Sequence, residues 1–305
     1  MERIVVRELP DGSIRYVQPF HISLEGMETA VLCRDDKDYD AFVKIICVCA
    51  WRKNVLVIIY AVVSNHSHVA VLALCQDDAD AYGEEVKRVS SMWLSHRYGE
   101  RGLLQGMDVK ALSLNSEWYL RNALAYVPRN ALDNGCNVND YKWSGYRAMF
   151  RKTLLPPGPL RKVSEMTQRE RRAVMHTGDS LAGVPWLVDT SGMLVPESFC
   201  DAAYLEQVFN HDQVYFIRTI GNQNGAEMKQ KLVDDPRTMM KDTDFYKEAD
   251  AIALRWFKVG LSALTLEQKI RLIPYLKRTR KTTIPQLARV FGLERTKIES
   301  ILRVR

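Results

Sequence analysis

Two histidines separated by one residue offer metal-binding chemistry. His66 and His68 flank Ser67 at the start of an apolar run. Because alternate residues of a β-strand point to the same face, both imidazoles would project to one side of a sheet. Imidazole is a common ligand of divalent metals, so the pair could form half of a metal site. The alternative is a pair of histidines that are simply hydrogen-bonded on a sheet.

A tyrosine and an asparagine four residues apart form the second candidate pair. Tyr126 lies on a predicted helix, and Asn130 follows about one turn later on the same face. The amide oxygen of Asn130 is a ligand that hard divalent ions accept. Alternatively, Tyr126 is a core residue with its hydroxyl in water, as is usual for a helical tyrosine. Pro128 lies between the two residues and disfavours the helical state there.

The elements that must position these residues are predicted in the first half of the chain. Its hydrophobic pattern alternates between strand-like and helix-like periods. The predicted strands cover residues 21–24, 55–63, 66–74 and 109–114, and the predicted helices cover 35–51, 79–98 and 116 to about 126. A break at Ser64 and Asn65 makes the two middle strands a hairpin. The mixture predicts an α+β fold with an antiparallel sheet.

The C-terminal segment has the pattern of two short helices joined at a glycine. Residues 251–305 contain 13 basic and 3 acidic side chains, a net charge of +10. Thr283 and Gln286 have the spacing of a capping box, and Gly292 can supply a left-handed turn. The small and apolar residues that would pack the two helices together have the spacing of a helix-turn-helix: Ala288, Ile298 and Ile301. The pattern predicts a helix-turn-helix that binds DNA, although two short helices joined at a glycine are also common in bundles.

The second helix of this predicted motif would begin near Glu294. Its N-terminal end would then present Arg295, Thr296 and Lys297, at the position where such helices read base edges. These three residues are therefore the predicted contacts with duplex DNA.

Composition and chain organisation restrict the class of protein. The 305 residues are 47% hydrophobic and 26% charged, as in an ordinary folded protein. Three prolines between residues 155 and 159 predict a boundary. The predicted division is residues 1–155 for the α+β domain, 156–250 for an accessory region without assigned chemistry, and 251–305 for the all-α DNA-binding segment. An acidic patch that includes Asp242 and Asp244 lies in the accessory region.

Membrane and secreted classes are not expected. The longest apolar run, residues 55–63, is far shorter than the roughly 20 residues of a spanning helix. The N-terminal residues do not form the apolar core of a signal peptide. Six cysteines without a C-x-x-C pair indicate a reducing compartment. The expected location is therefore cytoplasmic.

Five short segments together resemble the single-tyrosine HUH transposases, and among them the REP-associated tyrosine transposases. The resemblance covers residues 20–150, about half of the chain, in the family's order and at its spacings. The segments are Phe20-His21-Ile22-Ser23, Asn65-His66-Ser67-His68, Leu103-Leu104-Gln105-Gly106, Tyr126-Val127-Pro128-Arg129-Asn130 and Tyr141-Lys142-Trp143-Ser144-Gly145-Tyr146-Arg147. The chain departs from the family pattern at Ala131, where a proline is usual, and at Met107, where an arginine is common.

The resemblance implies a ferredoxin-like or RRM-like antiparallel sheet with packed helices, the HUH nuclease core. It implies a divalent magnesium or manganese ion held by His66, His68 and Asn130. It also implies that Tyr126 is a nucleophile that forms a 5′-phosphotyrosine on single-stranded, hairpin-forming DNA. The implied location is the nucleoid of a bacterial cell.

Basic and aromatic residues between 142 and 172 could follow such a strand. The basic residues selected as contacts are Arg147, Arg151 and Lys152. The alternative is that the aromatic residues of this segment, Trp143 and Tyr146, belong to the core and only the charges face solvent.

Two other functions remain open. Pro128 beside the tyrosine favours a DNA-binding regulator that keeps the fold but has lost cleavage. A metal hydrolase acting on small phosphoesters would explain His66 and His68 but not the basic C-terminal segment.

Overall fold

A computed structural model describes residues 3–25, 31–133, 135–151, 158–222, 242–280 and 282–303. A curled antiparallel sheet forms its centre, with strands β1 (Val5–Glu8), β2 (Ile14–Glu25), β3 (Leu56–Val62), β4 (Ser67–Ala73) and β5 (Asp108–Ser113). β2 is central: β1 pairs with its first half, and β4 and β5 pair with its second half. β3 pairs with β4, which gives the order β5-β2-β4-β3. The predicted α+β class and antiparallel sheet are confirmed.

Three helices connect and cover the sheet: α1 (Asp36–Arg52), α2 (Gln76–Tyr98) and α3 (Glu117–Asp133). α2 packs closely on the sheet at Gly83, where a Cβ atom would lie 2.5 Å from Cγ1 of Val109 and 3.1 Å from Cγ2 of Ile22. Ile22 therefore faces α2. Because side chains alternate along a strand, His21 points to the opposite face, on which α3 lies.

Helix α3 is longer than the sequence predicts, since it continues through Pro128 to Asp133. A proline inside a helix costs about 3 kcal/mol because one hydrogen bond is lost. Burial offsets this cost: Leu124, Val127 and Ala131 are completely buried against the sheet core. The helical phase between Tyr126 and Asn130 is thereby preserved.

The described range 158–222 contains three α-helices and a small two-stranded sheet. The helices are α4 (Gln168–Met175), α5 (Ala202–Val208) and α6 (Gln213–Asn222), and the strands are β6 (Arg161–Lys162) and β7 (Leu187–Val188). Buried residues of α5 and α6, among them Leu205 and Phe216, belong to the same core as the main sheet. Residues 202–222 of the predicted accessory region thus pack on the α+β unit, whereas its residues 242–250 belong to the helical part that follows.

The remaining described chain is helical: α7 (Asp242–Phe257), α8 (Leu266–Thr279), α9 (Ile284–Phe291) and α10 (Arg295–Arg303). We refer to these four as the C-terminal helices; they share a second hydrophobic core. Thr283 caps α9 by accepting from the Gln286 amide (3.2 Å), and Gly292 ends α9 in the left-handed region at φ 60°. Thr283 thus forms its half of the predicted capping box, and the Gln286 side chain donates through Nε2 to Asp242.

The packing of α9 and α10 follows the predicted spacing. Ala288, Ile298 and Ile301 are buried in the second core. In the part of the chain that the structure describes, no helix has the length and apolar character needed to cross a membrane.

Candidate tyrosine and histidine site

Three histidines meet on the α3 side of the sheet. His68 on β4 is opposite Ser23 on β2, and His21 lies two residues before Ser23, so both rings share a face. The rings of His21 and His68 are stacked, with their centroids 5.2 Å apart. His66, directly before β4, lies edge-on to His68 at 5.0 Å. The imidazoles of His66 and His68 therefore lie close together, as the sequence predicts.

Helix α3 brings the phenol of Tyr126 to this cluster. Its ring centroid lies 5.0 Å from that of His68 and 6.1 Å from that of His21, in edge-on orientations. Tyr126 is half-buried, so its ring remains partly accessible. Residues that are far apart in the sequence thus form one cluster, which we call the tyrosine–histidine site: His21, His66, His68 and Tyr126.

His21 is a member of the site that sequence reasoning missed. The sequence places it only at the start of a strand, and its ring becomes relevant through the pairing of β2 with β4. The strand pattern does contain one signal, because His21 and Ser23 alternate onto the face opposite Phe20 and Ile22. The register that brings His21 to His68 is a long-range property.

Two imidazoles of the site are held in the neutral form. His68 is 3% exposed and His21 is 9% exposed. Burial lowers the pKa of His21 to about 4, and the pKa of His68 falls well below its usual value because of burial and the neighbouring His66 and His21. Among the described residues, Nδ1 of His68 and Nε2 of His21 have no hydrogen-bond partner. Neutral imidazoles with buried, unsatisfied nitrogens suit a metal ion, which binds the unprotonated form.

A neighbouring amide orients the third imidazole. Nδ1 of His66 lies 2.9 Å from Oδ1 of Asn65. Because an amide oxygen only accepts, Nδ1 is the donor, and in the neutral ring the lone pair lies on Nε2. This arrangement is typical of metal-binding histidines, whose second nitrogen donates to an oxygen.

Asn130 lies one turn from Tyr126 and is 1% exposed. Its Nδ2 donates to the carbonyl oxygens of Tyr126 (3.0 Å) and Val127 (3.1 Å). These bonds fix the side chain against the helix, so the amide oxygen Oδ1 is the atom that could act as a ligand. The position of Asn130 beside Tyr126 agrees with the predicted helical phase.

A cation accompanies the tyrosine. The guanidinium of Arg129 lies 5.9 Å from the centroid of the Tyr126 ring, and Arg129 is 9% exposed. A positive charge in so buried a place attracts an anionic oxygen strongly. The sequence pattern alone does not indicate a role for Arg129.

The residues that were predicted to contact a single DNA strand differ in their exposure to solvent. Arg151 is exposed and Arg147 is half-buried, whereas Lys152 lies outside the described residues. Trp143 stacks on Tyr39 at 5.1 Å and is 6% exposed, and Tyr146 is 8% exposed. Both aromatic rings are therefore core residues, in agreement with the alternative interpretation, while Arg151 faces solvent.

The predicted duplex contacts lie on a different part of the surface. Arg295, Thr296 and Lys297 form the first turn of α10 and are exposed. They belong to the C-terminal helices, whose core is separate from the core beneath the tyrosine–histidine site.

Within the described ranges, no group of three or more histidine, cysteine, aspartate or glutamate side chains is arranged to hold a metal ion. Two imidazoles and an amide oxygen, the predicted ligands, are a different set of donors. Comparisons of the chain with protein-family models, with curated proteins and with solved structures found no match.

Proposed function

We propose that this protein is a metal-dependent endonuclease and strand transferase of single-stranded DNA, a transposase in which Tyr126 is the nucleophile. The observation that carries the proposal is the 5.0 Å separation between the Tyr126 and His68 rings, with His66 another 5.0 Å from His68. A phenol beside two imidazoles unites a nucleophile with ligands for a divalent ion.

The fold supports the proposal. From β2 to β5 the elements follow the order β-α-β-β-α-β, and the strands lie in the order β5-β2-β4-β3. This is the order of a ferredoxin-like sheet. The resemblance to HUH transposases implies the same sheet, with its histidines on a central strand and its tyrosine on a following helix.

The reaction proposed is an exchange of phosphodiesters. The Tyr126 oxygen attacks a backbone phosphorus, the bond from phosphorus to the 3′-oxygen breaks, and the phenolic proton ends on the released 3′-hydroxyl. The product is a 5′-phosphotyrosine, and the reverse reaction with another 3′-hydroxyl joins a new strand without ATP. Arg129, whose guanidinium lies beside the Tyr126 ring, would attract the scissile phosphate.

His66, His68 and Asn130 would hold the divalent ion. When bound, magnesium or manganese supplies Lewis-acid polarisation of the phosphate oxygens. The buried, unsatisfied Nδ1 of His68 and the hydrogen bond that orients His66 support this assignment. Imidazole ligands favour manganese over magnesium.

The proposed substrate is single-stranded DNA folded into hairpins, with duplex DNA bound by α9 and α10 as a helix-turn-helix. The exposed first turn of α10, which contains Arg295, Thr296 and Lys297, supports the duplex contact. Arg147 and Arg151, with Lys152, are proposed to contact the backbone of the single strand.

Covalent capture tests the proposal. A labelled pool of hairpin oligonucleotides with single-stranded flanks is incubated with the protein and manganese, then separated on a denaturing gel. We expect a protein–DNA adduct that requires the metal and disappears in Tyr126→Phe. Tyr119→Phe, on the same helix but outside the site, is the matched control and keeps the adduct. An adduct of unchanged yield in Tyr126→Phe would assign the nucleophile elsewhere.

A DNA-binding regulator without cleavage is the second candidate, favoured by the exposed basic turn of α10. It predicts sequence-selective duplex binding that Lys297→Ala weakens, together with no adduct on any hairpin of the pool. The two functions therefore differ in the covalent product, not in duplex affinity.

A further inference from the structure

A buried carboxylate joins the C-terminal helices to the turn that carries His66. Asp242, the first residue of α7, is 4% exposed. Its Oδ2 accepts from Oγ of Ser64 (2.6 Å) and from Nε of Arg289 (2.6 Å). Its Oδ1 accepts from Nε2 of Gln286 (3.0 Å) and from Nη2 of Arg289 (3.1 Å). These four bonds satisfy the charge with one donor from the turn between β3 and β4 and three from α9.

Ser64 belongs to the tight turn, residues 63–66, between β3 and β4. The Ser64 carbonyl accepts from the backbone amides of Leu32 (2.7 Å) and Cys33 (3.0 Å). The Val63 amide donates to the carbonyl of His66 (3.0 Å). The turn is therefore held through its main chain by residues 32–33 and through the Ser64 hydroxyl by Asp242.

We propose that Asp242 is a positioning residue for the metal site. Through Ser64 it fixes the turn that places His66, and through Arg289 and Gln286 it ties that turn to α9. The C-terminal helices and the tyrosine–histidine site are thereby energetically coupled. The statement about metal affinity rests on the proposed function, whereas the coupling of the turn to α9 does not.

The physical basis is the high cost of disturbing a buried charge. A carboxylate that loses one of its donors keeps its desolvation penalty, so its remaining partners must shift or water must enter. Arg289 binds both carboxylate oxygens and so holds the group in one orientation. A rearrangement of α9, as on binding DNA at the adjacent α10, would reach Ser64 through this carboxylate. Such coupling is reciprocal, so a metal ion at the site would in turn alter duplex affinity.

Ser64→Ala tests the positioning role with two independent measurements. We expect the amides of Leu32 and Cys33 to exchange with solvent about tenfold faster, since a hydrogen bond to a charged group is lost. We also expect Mn²⁺ affinity, measured by electron paramagnetic resonance, to fall about tenfold, as for other groups that orient metal ligands. Ser64→Thr keeps a hydroxyl and should restore both values.

The matched control is Ser191→Ala, which removes a hydroxyl that donates to Oδ1 of Asp189 over the same 2.6 Å, but on an exposed turn. It should change neither measurement. Unchanged exchange and unchanged Mn²⁺ affinity in Ser64→Ala would overturn the proposal. Absence of Mn²⁺ binding in the unaltered protein would refute the metal site, and the amide exchange would still decide whether Asp242 holds the turn.

A double-mutant cycle tests the link to α9. Arg289→Lys keeps the charge but loses the two-point contact, so it should also speed exchange at Leu32 and Cys33. If both side chains act through Asp242, Ser64→Ala combined with Arg289→Lys should have less than the summed effect. Strictly additive effects, or no effect of Arg289→Lys at these two amides, would refute coupling through Asp242.

Discussion

The buried Asp38 should be essential for holding α1 against α2, the two helices that support the sheet. Its side chain is completely buried on the first turn of α1. Oδ1 accepts from Nη1 of Arg97 (2.6 Å), and Oδ2 accepts from the Tyr98 hydroxyl (2.6 Å) and the Arg34 amide (2.8 Å). Asp38→Asn replaces one acceptor oxygen by a donor that must face other donors.

The magnitude follows from the type of contact. Breaking a buried charge pair typically costs about 3–5 kcal/mol. Arg97 keeps a second bond to Asp35, so we expect the lower end of that range, about 3 kcal/mol. Asp36→Asn is the matched control, because its carboxylate is 72% exposed and pairs only with Lys142 among the described residues. An exposed pair contributes less than about 1 kcal/mol.

Urea unfolding followed by circular dichroism measures both variants. With an m-value of about 3 kcal/mol per molar, a loss of about 3 kcal/mol lowers the midpoint by about 1 M. Asp36→Asn should leave the midpoint within a few tenths of a molar. Equal midpoints for the two variants would show that the Asp38 cluster does not stabilise the fold, and the reasoning from burial and hydrogen bonding would be wrong.

Three further predictions concern the sheet, the site and the proposed DNA surface. Gly83→Ala should destabilise the protein by about 1–2 kcal/mol in urea unfolding, because the new Cβ would lie 2.5 Å from Cγ1 of Val109; a stabilised variant would contradict the close packing of α2. In the metal-free protein, His21 should contribute a fall in stability of about 1 kcal/mol between about pH 7 and pH 5.5, because its pKa is about 4 when folded and higher when unfolded; His68 and His176, whose folded pKa values are also lowered, add to this fall. The unfolded state then binds the extra proton, and His21→Gln should reduce the fall by about 1 kcal/mol in urea unfolding with chelator. Lys297→Ala should weaken duplex binding and reduce its salt slope by about 1 in titrations at several salt concentrations, whereas an unchanged slope would remove Lys297 from the phosphate contacts.

Local sequence patterns predicted much of the α+β half. The strands and helices have clear periods of two and of about 3.6 residues, and their order already indicated an antiparallel sheet. The turn at Gly292 and the residues that pack α10 could likewise be predicted from the sequence, because a left-handed glycine and buried isoleucines leave a pattern in neighbouring residues. The extension of α3 past Pro128 could not be predicted from the sequence, since it depends on burial of Val127 and Ala131 against residues that are distant in the chain.

The site was predicted only in part for a similar reason. His66, His68 and Tyr126 stand out by residue type and spacing, and the structure brings them together. His21 joins them through the register of β2 with β4, which no local pattern encodes. Asp242 appeared in the sequence only as part of an acidic patch, because its donors come from two other segments of the chain.

Peptide mapping of the covalent product tests the central claim most directly. After reaction with a hairpin oligonucleotide and manganese, the protein is digested with nuclease and protease, and the peptides are identified by mass spectrometry. The proposal predicts a 5′-linked nucleotide on the peptide that contains Tyr126, and none when His66 and His68 are both replaced by glutamine. A nucleotide on a different tyrosine, or an undiminished adduct without the two imidazoles, would contradict it.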